Sequence, residues 1–367
     1  MAIWQDNFWA RIGLQETDKA KCIEAVKRRY DRHHVEEFEC QGYCSFTLLV
    51  SWLEDSNNFE RGSHSDAGTF APVVVQFRPA QHALDVDIAR EASRLYPSLA
   101  PKVRALDLYL PGNLYAYELS RLPGKPLSGL LPHKLLPGTE LRAKQETLVT
   151  SFAHVVAQGW PSKAGKQRRD SVVRADSPSM EKQSMLLLCT GKVGSCVTQK
   201  LQKLVRELPV KWLRERAMIT LDNFCVLEDY PIVLNHGDLI PSNILVDEQT
   251  WEITGLVDWA EAEQLPFGTC LFGLEHLLGF VQLSSPNSTR PVFAYQEDAV
   301  RLRQLFWTTL ISVVPELEGR QGEVQAMRDM GVLLWHGYAW DEGAIDRVVD
   351  EVNDGEELAK LRAFLSV

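Results

Sequence analysis

Residues 231–261 constrain this chain more than any other stretch of its sequence. An apolar run, Pro-Ile-Val-Leu, leads into Asn-His-Gly-Asp, which ends at Asp238. Five residues later Asn243 opens a second apolar run, and a third run, Gly-Leu-Val, ends at Asp258. The pattern predicts short buried strands that each carry a polar side chain at one end.

Those three side chains make a set of oxygen ligands. Two carboxylates and an amide set against apolar strands suit Mg²⁺, which takes one or two carboxylates together with phosphate oxygens and water. Phosphoryl transfer uses such parts: an aspartate that accepts the hydroxyl proton, with an asparagine and a second aspartate on the metal. The alternative is that Asp238 and Asn243 only cap turns, as these residue types often do.

The sequence His-Gly-Asp-x-x-x-x-Asn, followed by the pair Asp258-Trp259, resembles the aminoglycoside phosphotransferase and choline kinase family. That family has a protein-kinase-like fold, and the run from 259 to 268 resembles its fungal members in particular. The likeness spans roughly residues 40–340. It implies an ATP- and Mg²⁺-dependent small-molecule kinase with Asp238 as catalytic base, His236 bracing the turn, and Asn243 and Asp258 on the metal. A protein kinase fits less well, because Gly237 stands where that family usually has an arginine.

The rest of the chain reads as an α+β protein with two lobes. Strands are predicted over 72–77, 102–110 and 114–119, with either one bent strand or two strands over 43–53. Helices are predicted over 19–32, 85–96, 138–160, 196–225 and 296–314. We therefore expect a mostly helical N-terminal extension (1–40), a strand-rich nucleotide-binding lobe (41–121) and a larger helical catalytic and acceptor-binding lobe (122–367).

The resemblance also implies nucleotide-binding positions in the first lobe. Gln76 stands where the family has a phosphate-binding lysine, and Arg78 leaves the same face of the strand, either to reach the phosphates or as a solvated arginine. Glu91 stands where a helix glutamate would orient that cation, or is a surface residue. Further candidates are Ser45 in the turn after Gly42, and Glu118 and Ser120 in the connector whose backbone would read adenine.

Acceptor-binding candidates follow the predicted metal site. Glu261 and Glu263 are placed to bind a cationic amine, as acidic side chains do in relatives, or are exposed carboxylates at the start of a helix. Trp340 belongs to an aromatic cluster that would form a wall for a flat acceptor or pack the last helices.

Composition narrows the setting. The chain has 367 residues and a net charge of −10, which argues against nucleic acid as a partner. The basic stretch 161–182 is interpreted as a solvated surface loop, with the gathering of an anionic substrate as the alternative. No apolar run is long enough to span a membrane, and the start lacks the order of a signal peptide. Seven cysteines without paired spacing predict reduced thiols and a cytoplasmic protein.

The alternative function is a kinase-fold binding protein without phosphoryl transfer.

Overall fold

The computed structural model of this chain describes residues 8–39, 41–52, 71–131, 138–161, 188–226, 229–285 and 289–367. Cys40 and the basic residues predicted for the loop, from Lys163 to Arg174, lie outside the described residues. The chain divides into two compact units, residues 1–123 and residues 124–367. No helix among the described residues has both the length and the apolar character needed to cross a membrane.

The first unit is built on a five-stranded antiparallel sheet with the order β1-β2-β3-β5-β4. Strand β1 is therefore one edge and β4 the other. The described residues of this unit also form three α-helices. The elements are α1 (Phe8–Arg11), α2 (Glu16–Arg29), β1 (His33–Glu37), β2 (Phe46–Trp52), β3 (Val73–Arg78), α3 (Val86–Leu95), β4 (Val103–Leu106) and β5 (Tyr115–Ser120).

One face of this sheet packs on α1 and α2. Val75 and Phe77 of β3 join Phe46 of β2 in a core that also takes in Trp9 and Val26 from the two helices. Because side chains alternate along a strand, Gln76 and Arg78 lie on the opposite face. The residues of α2 thus cover the sheet directly and share its hydrophobic core.

The N-terminal region differs from its sequence prediction at one point. The helix predicted over 19–32 is present as α2, but residues 33–37, which the charged composition made helix-like, form β1. His33 pairs with Trp52 and Glu37 with Leu48, so backbone pairing with β2 outweighs local propensity. Residues 46–52 form one strand, which settles the two alternatives for the 43–53 region.

The second unit is mainly helical and carries three small sheets. The pairs are β7 with β10 and β11 with β12, while β8 lies between β6 and β9. Its strands are β6 (Lys125–Pro126), β7 (Ile232–Asn235), β8 (Ile244–Val246), β9 (Ile253–Leu256), β10 (Glu263–Pro266), β11 (Gly279–Leu283) and β12 (Pro291–Tyr295). Its helices are α4 (Leu127–Leu130), α5 (Thr139–Gln158), α6 (Gly191–Gly194), α7 (Val197–Glu207), α8 (Lys211–Val226), α9 (Phe272–Leu277), α10 (Ala299–Val313), α11 (Gln321–His336) and α12 (Gly355–Phe364).

The predicted long helices are present with one division. Helix α5 matches the prediction over 138–160 and packs against α10, where the rings of Phe152 and Phe306 are 5.8 Å apart. The prediction over 196–225 becomes two helices, α7 and α8, because Pro209 lies between them and cannot continue a helix.

Candidate active site

The candidate active site starts from the paired strands β7 and β10. Asn235, the last residue of β7, is opposite Glu263, the first residue of β10. The buried Asn235 amide donates to the carbonyl oxygens of Val233 and Leu265, each at 3.0 Å, and its Oδ1 accepts from Cys270 N at 3.1 Å. This side chain fixes where β7 ends, and so where the following turn begins. Sequence reasoning did not single out Asn235.

Gly237 lets that turn pass close to the segment after β9. Its φ is +78°, a conformation that side-chain-bearing residues rarely adopt. A Cβ atom at this position would come within 1.8 Å of the Glu261 carbonyl oxygen. The turn that presents Asp238 therefore requires glycine for both conformation and space.

His236 ties the turn to the backbone that precedes Asp258. The ring is buried; its Nε2 lies 3.0 Å from Val257 O, and Asp238 N donates to its Nδ1 at 3.3 Å. These partners require a neutral ring with the proton on Nε2. Burial lowers the pKa of His236 to about 4, against the opposing effect of the Asp258 charge. The imidazole is thus a neutral structural link near pH 7.

Asn243 holds the Asp238 carboxylate. Its Nδ2 donates to Asp238 Oδ2 at 2.8 Å and to the Asp238 carbonyl oxygen at 2.9 Å. The Asn243 carbonyl oxygen accepts from Val257 N at 2.9 Å, which places this residue against the segment that leads to Asp258. Asp238 Oδ1 is buried, and no described residue hydrogen bonds to it. Oδ2 is therefore held in place by Asn243, whereas Oδ1 can still accept a hydrogen bond.

The environment of Asp238 disfavours its charged form. Burial raises the pKa of Asp238 most strongly, followed by the negative charge of Asp258, and the charge of Glu261 adds a smaller increase. The hydrogen bond from Asn243 lowers this pKa. Together they raise the pKa of Asp238 to about 7. A carboxyl group with such a pKa is matched to proton transfer near neutral pH.

The donor set around Asp238 fits Mg²⁺ on the chemistry of its atoms. Asp258 begins a single turn of 3₁₀ helix in a left-handed conformation, with φ +61°, directly after the segment that binds Asn243 and His236. Its charge acts on the pKa of both His236 and Asp238. Among the described residues no three His, Cys, Asp or Glu side chains are grouped to hold a metal by themselves. An open set of two carboxylates and one amide, with the Asp238 Oδ1 unbonded, is the kind that Mg²⁺ shares with phosphate oxygens.

The three predicted acceptor residues differ in their surroundings. Glu261 ends the 3₁₀ turn, with its backbone against Gly237. Glu263 is buried, and its carboxylate accepts hydrogen bonds from the backbone amides of Val193 and Gly194 at 2.7–3.0 Å. Trp340 is 47% exposed. The structure thus keeps Glu261 and Glu263 on one short segment but directs the Glu263 carboxylate into α6.

Gln76 and Arg78 are in contact on β3 in the first unit. Arg78 Nε donates to Gln76 Oε1 at 3.2 Å, and the Arg78 side chain is buried, with 3% of the residue exposed. Glu91, on α3, is 3.9 Å from Arg94 in an ion pair. Ser45 is buried just before β2, and its Oγ would lie 3.4 Å from a Cβ atom added to Gly42. Gln76 and Arg78 thus lie on the same face of β3, as expected, and their side chains are joined by a hydrogen bond.

Glu118 and Ser120 lie on the other face of the sheet. Glu118 is opposite Val75 of the core, and its Oε2 accepts from Tyr30 Oη and from Arg104 Nη2, the latter at 2.6 Å. These two hydrogen bonds lower the pKa of Glu118 although burial acts in the other direction. Ser120 Oγ accepts from Lys102 N at 2.9 Å. The two side chains therefore hold β5 within its unit; the partner Tyr30 lay too far along the sequence to be found from a local pattern.

The α+β fold and the residues grouped around Asp238 are those expected of a phosphotransferase. A sequence profile of APH, the phosphotransferase enzyme family, matches residues 54–266, which is more than half of the chain. The protein belongs to the phosphotransferase enzyme family. The family resemblance and the α+β kinase-like fold expected from the sequence are thereby confirmed, while the likeness to fungal members stays a prediction.

Two solved phosphotransferase structures match this chain along most of its length. A GDP complex of a mutant aminoglycoside 2'-phosphotransferase-IIIa is 15% identical, with 95% of this chain and 97% of that chain covered and a TM-score of 0.52. A macrolide 2'-phosphotransferase from Brachybacterium faecium is 17% identical, with 87% and 92% covered and a TM-score of 0.45. No curated protein sequence matches this chain. At 15% identity the likeness to the aminoglycoside 2'-phosphotransferase concerns the fold alone.

Proposed function

We propose that this protein transfers the γ-phosphoryl group of ATP to a hydroxyl group of a small molecule. The observation that carries the proposal is the Asp238 carboxyl group, which Asn243 holds by Oδ2 and whose pKa is about 7. A base that is oriented and poised near neutral pH is what deprotonation of an acceptor hydroxyl requires. Membership of the phosphotransferase family supports the reaction class.

In this proposal each residue of the candidate site has a defined task. The acceptor hydroxyl hydrogen bonds to Asp238 Oδ1, the oxygen that no described residue hydrogen bonds to, and passes its proton there as its own oxygen forms the new bond to the γ-phosphorus. The bond between that phosphorus and the β–γ bridging oxygen breaks at the same time, and ADP leaves. Asn243 and His236 keep the carboxylate and its turn in place. Asn243 and Asp258 would hold Mg²⁺, which when bound supplies positive charge to the phosphate oxygens. The chain's own contribution is thus chiefly orientation of the reacting groups.

The nucleotide would meet the first unit through Arg78. A glutamine at position 76 brings no charge, but its Oε1 accepts from Arg78 Nε, so that it orients a guanidinium on the same strand. Ser45 and Glu91 are proposed as further nucleotide-side residues. For Glu118 and Ser120 we propose a role through the β5 backbone, because their side chains bond within the sheet.

We propose an acceptor with both a hydroxyl group and a cationic amine. Glu261 supplies negative charge next to the Asp238 turn, and the exposed Trp340 offers a flat apolar surface. The aminoglycoside 2'-phosphotransferase of similar fold is named for its acceptor, but a likeness at 15% identity does not select an acceptor for this chain. A cytoplasmic location and the absence of nucleic-acid partners stay predictions from composition.

The test measures nucleoside diphosphate release from Mg-ATP, and separately from Mg-GTP, with a panel of amino alcohols, aminoglycosides and neutral polyols. We expect the wild-type protein to release nucleoside diphosphate in an acceptor-dependent way, and we expect Asp238→Asn to lose this release. Asp222→Asn, an exposed aspartate on α8, is the matched control and should behave as wild type. No acceptor-dependent release by wild type, or equal release by Asp238→Asn, would contradict the proposal.

A second candidate function is nucleotide or ligand binding without phosphoryl transfer. Gln76, at a position where a lysine is usual in kinase-like lobes, is the observation that favours it. A melting-temperature scan with Mg-ATP separates the two in combination with the turnover assay, since a ligand bound to the native state raises the melting temperature. A rise without any turnover would favour the binding protein.

A further inference from the structure

We infer that Glu263 is a positioning residue: it anchors segment 189–196, and through it loop 340–346, as a wall of the acceptor site. The inference rests on the proposed function, because that function supplies the acceptor. It replaces direct contact between Glu263 and an amine by an indirect role. The residues that carry it all lie in the second unit.

The contacts of Glu263 show what its carboxylate does. Val193 N donates to Oε1 at 2.9 Å and to Oε2 at 3.0 Å, and Gly194 N donates to Oε2 at 2.7 Å. Both oxygens are therefore used by backbone amides of α6. Only 7% of the residue is exposed. A buried carboxylate with both oxygens satisfied has little capacity left for a cationic ligand.

Segment 189–196 is shaped around this carboxylate. A Cβ on Gly191 would come within 2.3 Å of the Glu263 carboxyl carbon, and Gly191 has φ +103°. Thr190 N donates to Gln264 O at 3.1 Å, which adds a backbone link to β10. The segment is thus bound to β10. This strand pairs with β7, whose last residue, Asn235, lies three residues before Asp238.

Lys192 connects this segment to loop 340–346, and two lysines of α7 hold the same loop. Lys192 Nζ donates to the Gly343 carbonyl oxygen. Lys200 Nζ donates to Ile345 O at 2.7 Å, and Lys203 Nζ donates to Asp346 O at 2.6 Å. Three successive anchors therefore fix the backbone of the loop from one side.

The loop needs such support because its backbone is strained. Asp341, Glu342 and Ile345 have φ values of +38°, +56° and +52°, and a β-branched residue such as isoleucine rarely adopts this region. Strain of this kind persists only where the surroundings impose it. The loop begins at the exposed Trp340, the proposed acceptor contact. Contacts run without a break from Glu263 through α6 to the loop that carries Trp340.

The first test uses Glu263→Gln, which keeps the shape but places an NH₂ group among backbone N–H donors. We expect the KM for the best acceptor of the panel to rise about tenfold, with kcat and the KM for Mg-ATP within twofold of wild type. Hydrogen exchange should speed up at the amides of Val193 and Gly194 and over residues 340–346. A residue that only stabilised the fold would not produce this selective change in acceptor KM.

The second test keeps the inference falsifiable if Glu263→Gln fails to fold. Lys192→Met leaves Glu263 in place and removes the link to Gly343. It should speed exchange over 340–346 and raise the acceptor KM. Lys211→Met is the control, because this lysine at the start of α8 has 84% of its side chain exposed. The control should match wild type in both measurements.

The outcomes separate this inference from the proposed function. Unchanged exchange over 189–196 in Glu263→Gln overturns the anchoring. Faster exchange with an unchanged acceptor KM overturns the link to the acceptor. A KM increase limited to amine-bearing acceptors, with unchanged exchange, would make Glu263 a direct ligand. Absence of any wild-type turnover overturns the proposed function instead, and exchange still decides whether Glu263 holds the two segments.

Discussion

Asn243 binds Asp238 twice, through the backbone carbonyl oxygen at 2.9 Å and through the carboxylate Oδ2 at 2.8 Å. The pair closes the turn that starts at His236 and aligns one aspartate oxygen while the other stays unbonded within the described part of the chain. Burial and the charge of Asp258 oppose ionisation of this carboxyl group. Burial and the Asp258 charge therefore impose a cost in stability at the proposed base, which the hydrogen bond from Asn243 reduces.

Asp238→Asn should separate activity from stability. Loss of the base should lower acceptor-dependent turnover by about 10³-fold. The folded-state pKa of Asp238, about 7, lies above its ordinary value of 3.8, so folding is penalised at pH 8 and the penalty fades as pH falls towards 4. The metal-free variant should therefore be more stable than wild type at pH 8, on the order of 2–4 kcal/mol, and equal near pH 4. Urea unfolding at both pH values checks this; an equal difference at both would contradict it.

Gly237→Ala should be far more disruptive than its size suggests. The added methyl group meets the Glu261 carbonyl oxygen in a backbone with positive φ. We expect a loss of about 3 kcal/mol or more in the free energy of unfolding, together with loss of turnover. Gly322→Ala, at a helical position of α11 with no atom near the new Cβ, should be neutral or mildly stabilising. Equal effects of the two variants would show that the close approach is not needed.

His276→Gln should weaken the acid sensitivity of folding. Burial lowers the pKa of His276 well below 6.5, and the nearby His336 and Lys360 act in the same direction, against Glu357. The unfolded chain takes up a proton below pH 6.5 while the folded chain does not, so wild type loses stability as pH falls, by about 2 kcal/mol at pH 5 from this group. The variant should lack that part of the loss between pH 7 and pH 5. Parallel pH profiles for the two proteins would contradict the assignment.

Arg78→Gln should weaken nucleotide binding selectively. If the buried guanidinium that bonds Gln76 meets the phosphates, its loss should raise the KM for Mg-ATP by about 10-fold or more and leave the acceptor KM unchanged. Arg90→Gln removes an exposed arginine of the neighbouring helix α3 and serves as control. Initial-rate measurements with both substrates varied give the two KM values. An unchanged KM for Mg-ATP would remove Arg78 from the nucleotide site.

The sequence predicted those strands and contacts that depend on residues close together in the chain. Strands β7 and β8 and the polar residues at their ends follow from short apolar runs, and the contact between Asp238 and Asn243 follows from their spacing. By contrast, β1 has a charged sequence, His-His-Val-Glu-Glu, and becomes a strand only by pairing with β2. The carboxylate of Glu263 binds backbone amides about 70 residues earlier in the chain, and no local sequence pattern predicts such a contact.

Face assignment was the other limit of sequence reasoning. Glu118 and Gln76 are both candidates for the nucleotide site. Successive residues along a strand point to opposite faces of the sheet, whereas residues directly opposite each other on paired strands point to the same face. Glu118 is opposite Val75, so its side chain joins Tyr30 and Arg104 instead of Gln76. Which face a strand residue takes depends on the register, and the register is set by the whole sheet.

The most direct test of the central claim is a calorimetric titration of ATP with and without Mg²⁺ into wild type and Asp258→Asn. Because Asn243 and Asp258 would share Mg²⁺ with the nucleotide, ATP should bind wild type at least tenfold more tightly with the metal than without it. Asp258→Asn should lose most of that gain and keep its metal-free affinity. An identical Mg²⁺-dependent gain in both proteins, or no ATP binding by wild type under either condition, would contradict the account.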